Sequence, residues 1–100
     1  MVFTPAELEF LRGQRLGRLA TVGPSGWPHV VPVMFALTDA GELEFDADGV
    51  KLRNLIAEPR VALVVDASGP KRGVSVQGRA EVIGRERARL APEHKFSWGL

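Results

Sequence analysis

The residues whose types and spacing invite chemistry lie in Asp48-Gly49-Val50-Lys51-Leu52-Arg53-Asn54-Leu55. A strand ends here, a glycine frees the backbone, and a helix opens with two cations. Helix N-termini expose unpaired N–H groups and a partial positive charge, so Asp or Glu is favoured there and Lys or Arg is not. A bound anion reverses that preference, because a phosphate accepts from the free N–H groups and from both side chains. Lys51 would act as a point charge and Arg53 as a two-pronged fork. The residues alone leave a second reading open, in which both are solvated cations on a polar helix face.

The second segment is Trp27-Pro28-His29-Val30-Val31-Pro32-Val33-Met34-Phe35. As a strand, it is expected to lose one ladder hydrogen bond at each proline, which implies an edge, a bulge, or backbone facing a ligand. Backbone groups freed in this way could bind a flat polar ring; an ordinary twisted edge strand is the alternative. His29 and His94 are the only histidines, no cysteine is present, and no HxH or HxxxH spacing occurs. That speaks against a metal site, disulfides and thiolate chemistry. Neither histidine has a serine and carboxylate arrangement that indicates a hydrolytic triad. Trp27 and Trp98 could be stacking platforms, or core or subunit-contact residues.

These segments need elements to position them. Thr4 and Glu7 form a capping box, Pro5 takes the first helical position, and Phe3 and Leu8 are placed for a hydrophobic staple. The helix places Leu8 and Leu11 on one face with Phe10 beside them, and it stops at Gly13. Strands are expected at Leu16–Val22, Trp27–Leu37 and Glu42–Asp46, separated by the turns Gly23–Gly26 and Thr38–Gly41. A helix over Val50–Ala57 carries Leu52, Leu55 and Ile56 as its buried stripe, and Pro59 ends it. The nearly unbroken apolar run in Arg60–Asp66 predicts a strand buried on both faces. Val74, Val76, Ala80 and Val82 alternate with polar neighbours and Gly78 marks a bulge. Gly84-Arg85-Glu86 turns the chain into a last strand that ends at Phe96-Ser97-Trp98. Six strands and two short helices in residues 1–100 predict one domain, mainly β, built as an antiparallel barrel.

Bulk properties narrow the function classes. The net charge is +1 with both signs interspersed, which is no footprint for nucleic acid or an anionic membrane surface. Gly23, Pro24, Gly26, Pro28 and Pro32 interrupt the longest weakly charged stretch, so it is no membrane span. No basic region followed by an apolar run opens the chain, and the expected location is the cytoplasm. At 100 residues the core is thin, so a sizeable ligand site should be shallow or completed by a second copy.

The order of motifs resembles the pyridoxamine 5'-phosphate oxidase-like FMN-binding split barrels, and is most similar to the actinobacterial coenzyme F420-dependent oxidoreductase branch. The stretches that carry the resemblance are Leu16–Val22, Gly26–Pro32, Lys51–Leu55 with Glu58–Leu63, Arg72–Val74 with Gly78–Glu81, and Ser97–Leu100. The resemblance implies a homodimeric, six-stranded split barrel with cofactor sites at the subunit interface. It implies that Lys51 and Arg53 hold the cofactor phosphate and that backbone around Pro32, Val33 and Met34 faces the ring. The strand end from Phe45 to Asp48 would run beside the ribityl chain, and Trp98 would contact the cofactor. The implied reaction is hydride transfer from F420 to a small conjugated or heteroaromatic acceptor. Tightly held FMN is the alternative cofactor, and a non-catalytic flavin, deazaflavin or haem carrier or sensor is the alternative role. Two departures bear on this. Vitamin B6-oxidising members carry a glutamine where this chain has Gly73, and their arginine-bearing substrate segment is missing. The stretch Gly84–Leu90 is also brief for the family, which implies a compact last hairpin or a missing loop.

Overall fold

A computed structural model describes residues 2–100. In chain order the elements are α1 (Pro5–Arg12), β1 (Leu16–Val22), β2 (Pro28–Leu37), β3 (Leu43–Asp46), α2 (Gly49–Ala57), β4 (Arg60–Ala67), β5 (Arg72–Gly84) and β6 (Arg87–Trp98). All strand pairs are antiparallel, and the sheet closes into a barrel in the order β1-β2-β3-β6-β5-β4. The side chains facing inward supply the core, among them Leu19, Leu43, Phe45, Leu63, Val65, Val74, Val76 and Leu90. The expected six strands and two helices are all present. The bulge at Gly78 is there as a register shift, and Gly84 pairs with Arg87, so the last hairpin is compact. No helix among the described residues is long and apolar enough to cross a membrane.

Helix α1 starts as its sequence demands. The Thr4 Oγ1 accepts from the Glu7 N–H at 3.2 Å, and the Glu7 carboxylate accepts from the Thr4 N–H at 2.8 Å. Glu7 is buried and also accepts from Lys95 Nζ at 2.8 and 3.0 Å and from Ser97 Oγ at 2.6 Å. Burial alone would raise its pKa. The hydrogen bonds from Lys95, Ser97 and Thr4 outweigh that, and the group is lowered to about 2.

Four expectations need correction. First, β2 begins at Pro28 rather than Trp27, which stands outside the strand with 80% of its surface exposed. Second, the prolines of β2 delete no ladder bond. The Phe35 N–H donates to the Arg15 carbonyl at 2.9 Å, so residues 29, 31, 33 and 35 aim their backbone groups at β1. Residues 28, 30, 32 and 34 therefore aim outward, and both prolines fall in that set. Third, β4 is buried on its inner face only; Ala62 and Val64, on the outer face, stay half-buried. A strand in a closed barrel has just one face towards its own core, and its outer face can be covered only by something else. Fourth, Ile56 is 64% exposed, while Asn54 and Leu55 are buried. The inward arc of α2 is centred near Leu55, and Ile56 lies about 100° further round.

Candidate functional site

The two segments singled out by their chemistry are linked through β3, which pairs with the end of the second and leads into the first. Strand β3 pairs with β2 only through Phe35–Leu37, then leaves at Asp46, and α2 begins at Gly49. Beyond that point the outer edge of β2, from Val33 back to Pro28, has no strand partner among the described residues. Its outward set presents the N–H groups of Val30 and Met34 and the carbonyls of Pro28, Val30 and Pro32, while the Met34 carbonyl faces the end of β3. This open edge is the split in the barrel, and the prolines remove two of its donors.

Helix α2 opens without a cap. Asp48 holds the N-cap position in an extended conformation but makes no side-chain cap bond, and the first turn contains no acid. Its carboxylate instead accepts from Lys51 Nζ at 2.5 Å. That hydrogen bond, with the charge of Lys51, holds the exposed Asp48 carboxyl below its usual range. The first bond in the helix runs from Leu52 N–H to the Asp48 carbonyl at 3.3 Å, which leaves the N–H groups of Gly49, Val50 and Lys51 without helical partners. Lys51 has only 16% of its side chain exposed, whereas Arg53 is exposed and makes no ion pair among the described residues. Their stems leave the helix about 200° apart, so they can share a ligand only at the end of the helix axis. Side chains lean towards the N-terminus, and Lys51 already does so. Arg53 lies one turn beyond Gly49, whose φ of +56° suits glycine and whose missing side chain leaves open space. Free N–H groups and an ammonium at an open end, with an exposed guanidinium-bearing residue one turn on, make a donor set that fits a phosphate.

The other sequence-derived candidates divide. Pro32 and Met34 belong to the outward set. Val33 does not: it is 4% exposed and its backbone pairs with Gly17 on β1. Phe45 is fully buried, with β2 on one side and β6 on the other, so neither its side chain nor its backbone faces a ligand. Short strands at a barrel end are laddered on both sides, and that is what encloses it. Trp98 is half-buried over Gly73, filling the space a side chain there would need, and lies 5.7 Å from the Phe96 ring. It is eleven residues along β6 from Arg87, the partner of Asp46, which is about 35 Å of strand. A single chain does not bring Trp98 to Lys51.

Sequence reasoning missed two residues that fix the geometry. Asn54 Nδ2 donates to Thr21 Oγ1 at 3.1 Å, both residues buried, which pins α2 to the end of β1. The available signal was an amide among the apolar positions of an otherwise amphipathic helix. On the outside of β3 and β6, Glu42, Glu44 and Asp46 pair with Arg87 and Arg89, so those arginines are engaged. No group of three or more potential metal ligands occurs among the described residues.

Comparison with known proteins places this geometry in company. A family model described as "Pyridoxamine 5'-phosphate oxidase" matches residues 3–96. A 5a,11a-dehydrotetracycline/5a,11a-dehydrooxytetracycline reductase of Streptomyces rimosus is 37% identical over 121 positions, covering 100% of this chain and 85% of that protein. Since 121 − 100 = 21, the relative carries at least 21 residues without a counterpart here. Among solved structures, a conserved hypothetical protein of Mycobacterium tuberculosis superposes with a TM-score of 0.81 at 26% identity, covering 98% of this chain and 86% of that one. A FAD-binding protein of Mesorhizobium loti has a TM-score of 0.80 at 24% identity, covering 95% and 92%, and shows the shared fold.

Proposed function

The chain belongs to the pyridoxamine 5'-phosphate oxidase family, and from that membership we propose that it is an oxidoreductase that binds coenzyme F420 and reduces a conjugated acceptor. The observation that carries the proposal is the start of α2, uncapped and free of acid, with Lys51 and Arg53 following directly on the point where β3 leaves β2. In this reading the unpaired N–H groups and the two cations hold the cofactor phosphate. The outward groups of Pro32 and Met34 meet the polar rim of the ring. When bound in reduced form, the deazaflavin supplies a hydride. The chain binds and orients both reactants and excludes water, while a solvent proton completes the addition. The reductase relative supports the reaction class, since its name describes the removal of an unsaturation. Gly73, in place of the glutamine of B6-oxidising members, supports F420 over FMN, although the same donors would accept the FMN phosphate.

The site is completed by a second copy of the chain. Two features support a homodimer. Trp98 can approach a cofactor only from another protomer. The outer sheet face also carries exposed Leu16, Val30, Met34 and Phe96, and half-buried Ala20, Ala62 and Val64, an apolar face that a second copy would cover.

The test is the colour and binding behaviour of the purified protein. A colourless protein that binds added F420 and not FMN supports the proposal. Protein purified yellow with flavin absorbance moves the assignment to FMN, and a Soret band overturns it in favour of a haem carrier. Sedimentation at the monomer mass contradicts the shared site.

A further inference from the structure

We propose that Trp27 is the platform on which the acceptor stacks, and that this acceptor is a conjugated ring compound. The inference rests on the reading above in one respect: the open edge of β2 faces the cofactor ring. Trp27 immediately precedes that edge. It is 80% exposed, while Trp98, the other tryptophan, is half-buried. Tryptophan offers one of the largest apolar gains that folding can make, and an exposed one is available to a ligand. Neighbouring surface extends the platform: Val22 lies opposite Pro28, and Val22 and Val30 are 38% and 61% exposed.

The position is held. The Gly26 N–H donates to the Gly23 carbonyl at 2.9 Å, closing the turn, and the Trp27 N–H donates to Ser25 Oγ at 3.4 Å. Pro28 fixes the backbone on the following side. Gly23 lies so close to the Asn54 amide that any side chain there would collide with it. Asn54 is part of α2, so the turn bearing Trp27 is registered against the helix that carries Lys51 and Arg53. A platform fixed relative to the phosphate anchor can set the distance between acceptor and cofactor ring.

The chemistry of the surroundings selects the ligand class. Val22 and Val30 extend the indole as apolar surface, and the cleft that Val22 lines also carries Arg60, Arg79 and Glu93. A flat unsaturated ring gains from the indole face and loses little hydration.

Equilibrium dialysis of the cofactor-loaded protein against tetracycline, a tetracyclic probe with an aromatic ring and a conjugated carbonyl system, tests this without relying on tryptophan emission. Trp27→Ala should weaken the probe about tenfold or more, and Trp27→Phe should stay within about threefold of the parent. Both variants should bind F420 within about twofold of the parent and keep its sedimentation mass. Undiminished probe binding by Trp27→Ala overturns the proposal. So does an equal loss of F420, which would assign Trp27 to the cofactor, or conversion to a smaller species, which would assign it to a second copy. A parent protein that binds F420 but no tetracycline refutes the platform alone. One that binds tetracycline through Trp27 but neither F420 nor FMN refutes the proposed function and leaves the platform standing.

Discussion

The two helices of this chain begin in opposite ways. At the start of α1 the peptide completes itself: Thr4 and Glu7 cap each other, and Lys95 and Ser97 complete the buried carboxylate. At the start of α2, Asp48 sits at the cap position and does not cap; two cations stand where acids would be favoured, and three N–H groups have no helical partner. The same barrel supports both, so fold demands alone do not explain the second. A helix end that its own chain leaves incomplete is one that a ligand can complete.

The largest expected effect breaks the completed end. Glu7→Gln should lower stability at neutral pH by about 2–3 kcal/mol, because it removes the charge that holds Lys95 and Ser97, yet leave cofactor affinity unchanged. Chemical denaturation followed by circular dichroism measures the first part. The same contact sets an acid limit. The Glu7 carboxyl is lowered from an ordinary 4.5 to about 2, so its contribution is complete above about pH 4.5 and is lost as pH falls towards 2. Between those values the parent should lose on the order of 3 kcal/mol relative to Glu7→Gln, read from denaturation midpoints across the pH range.

Next in size is the open end. Lys51→Ala should cost about 1.5–3 kcal/mol of cofactor binding, and Arg53→Ala somewhat less because its stem starts on the far side of the helix. Neither should shift stability by more than about 0.5 kcal/mol, which thermal melts of the two variants would show. The smallest effect sharpens the contrast. Asp48→Asn frees Lys51 and removes a competing charge, so phosphate-bearing cofactor should bind about two- to fivefold tighter by titration. Weaker binding would mean that Asp48 positions Lys51 for the ligand.

Much of this architecture was legible in the residues, and the exceptions have physical causes. The capping box, the strand spacing and the bulge at Gly78 are local signals, and local signals survive folding. For Pro28 and Pro32 the residues left an edge, a bulge and a ligand-facing backbone all open. Whether a proline costs a ladder bond depends on which set of alternating backbone groups it joins, and register decides that. Ile56 was misplaced because helical spacing marks a stripe but not its centre, which Leu55 and the Asn54–Thr21 bond determine. Val33 and Phe45 are enclosed for a shared reason: a motif locates a segment, while strand alternation and double-sided pairing decide which of its atoms stay free. The charge placement of Lys51 and Arg53 was visible in the residues and left a solvated surface open as the alternative; the open space above Gly49 was not visible.

The most direct test crosses the protein cations with the ligand phosphate. Affinities of F420 and of its phosphate-free deazaflavin core would be measured for the parent and for the Lys51→Ala/Arg53→Ala double variant. The account predicts that the parent prefers F420 by at least about tenfold, that the double variant loses most of this preference, and that both bind the phosphate-free core alike. A preference for F420 that survives the double substitution would contradict the claim that the start of α2 holds the phosphate.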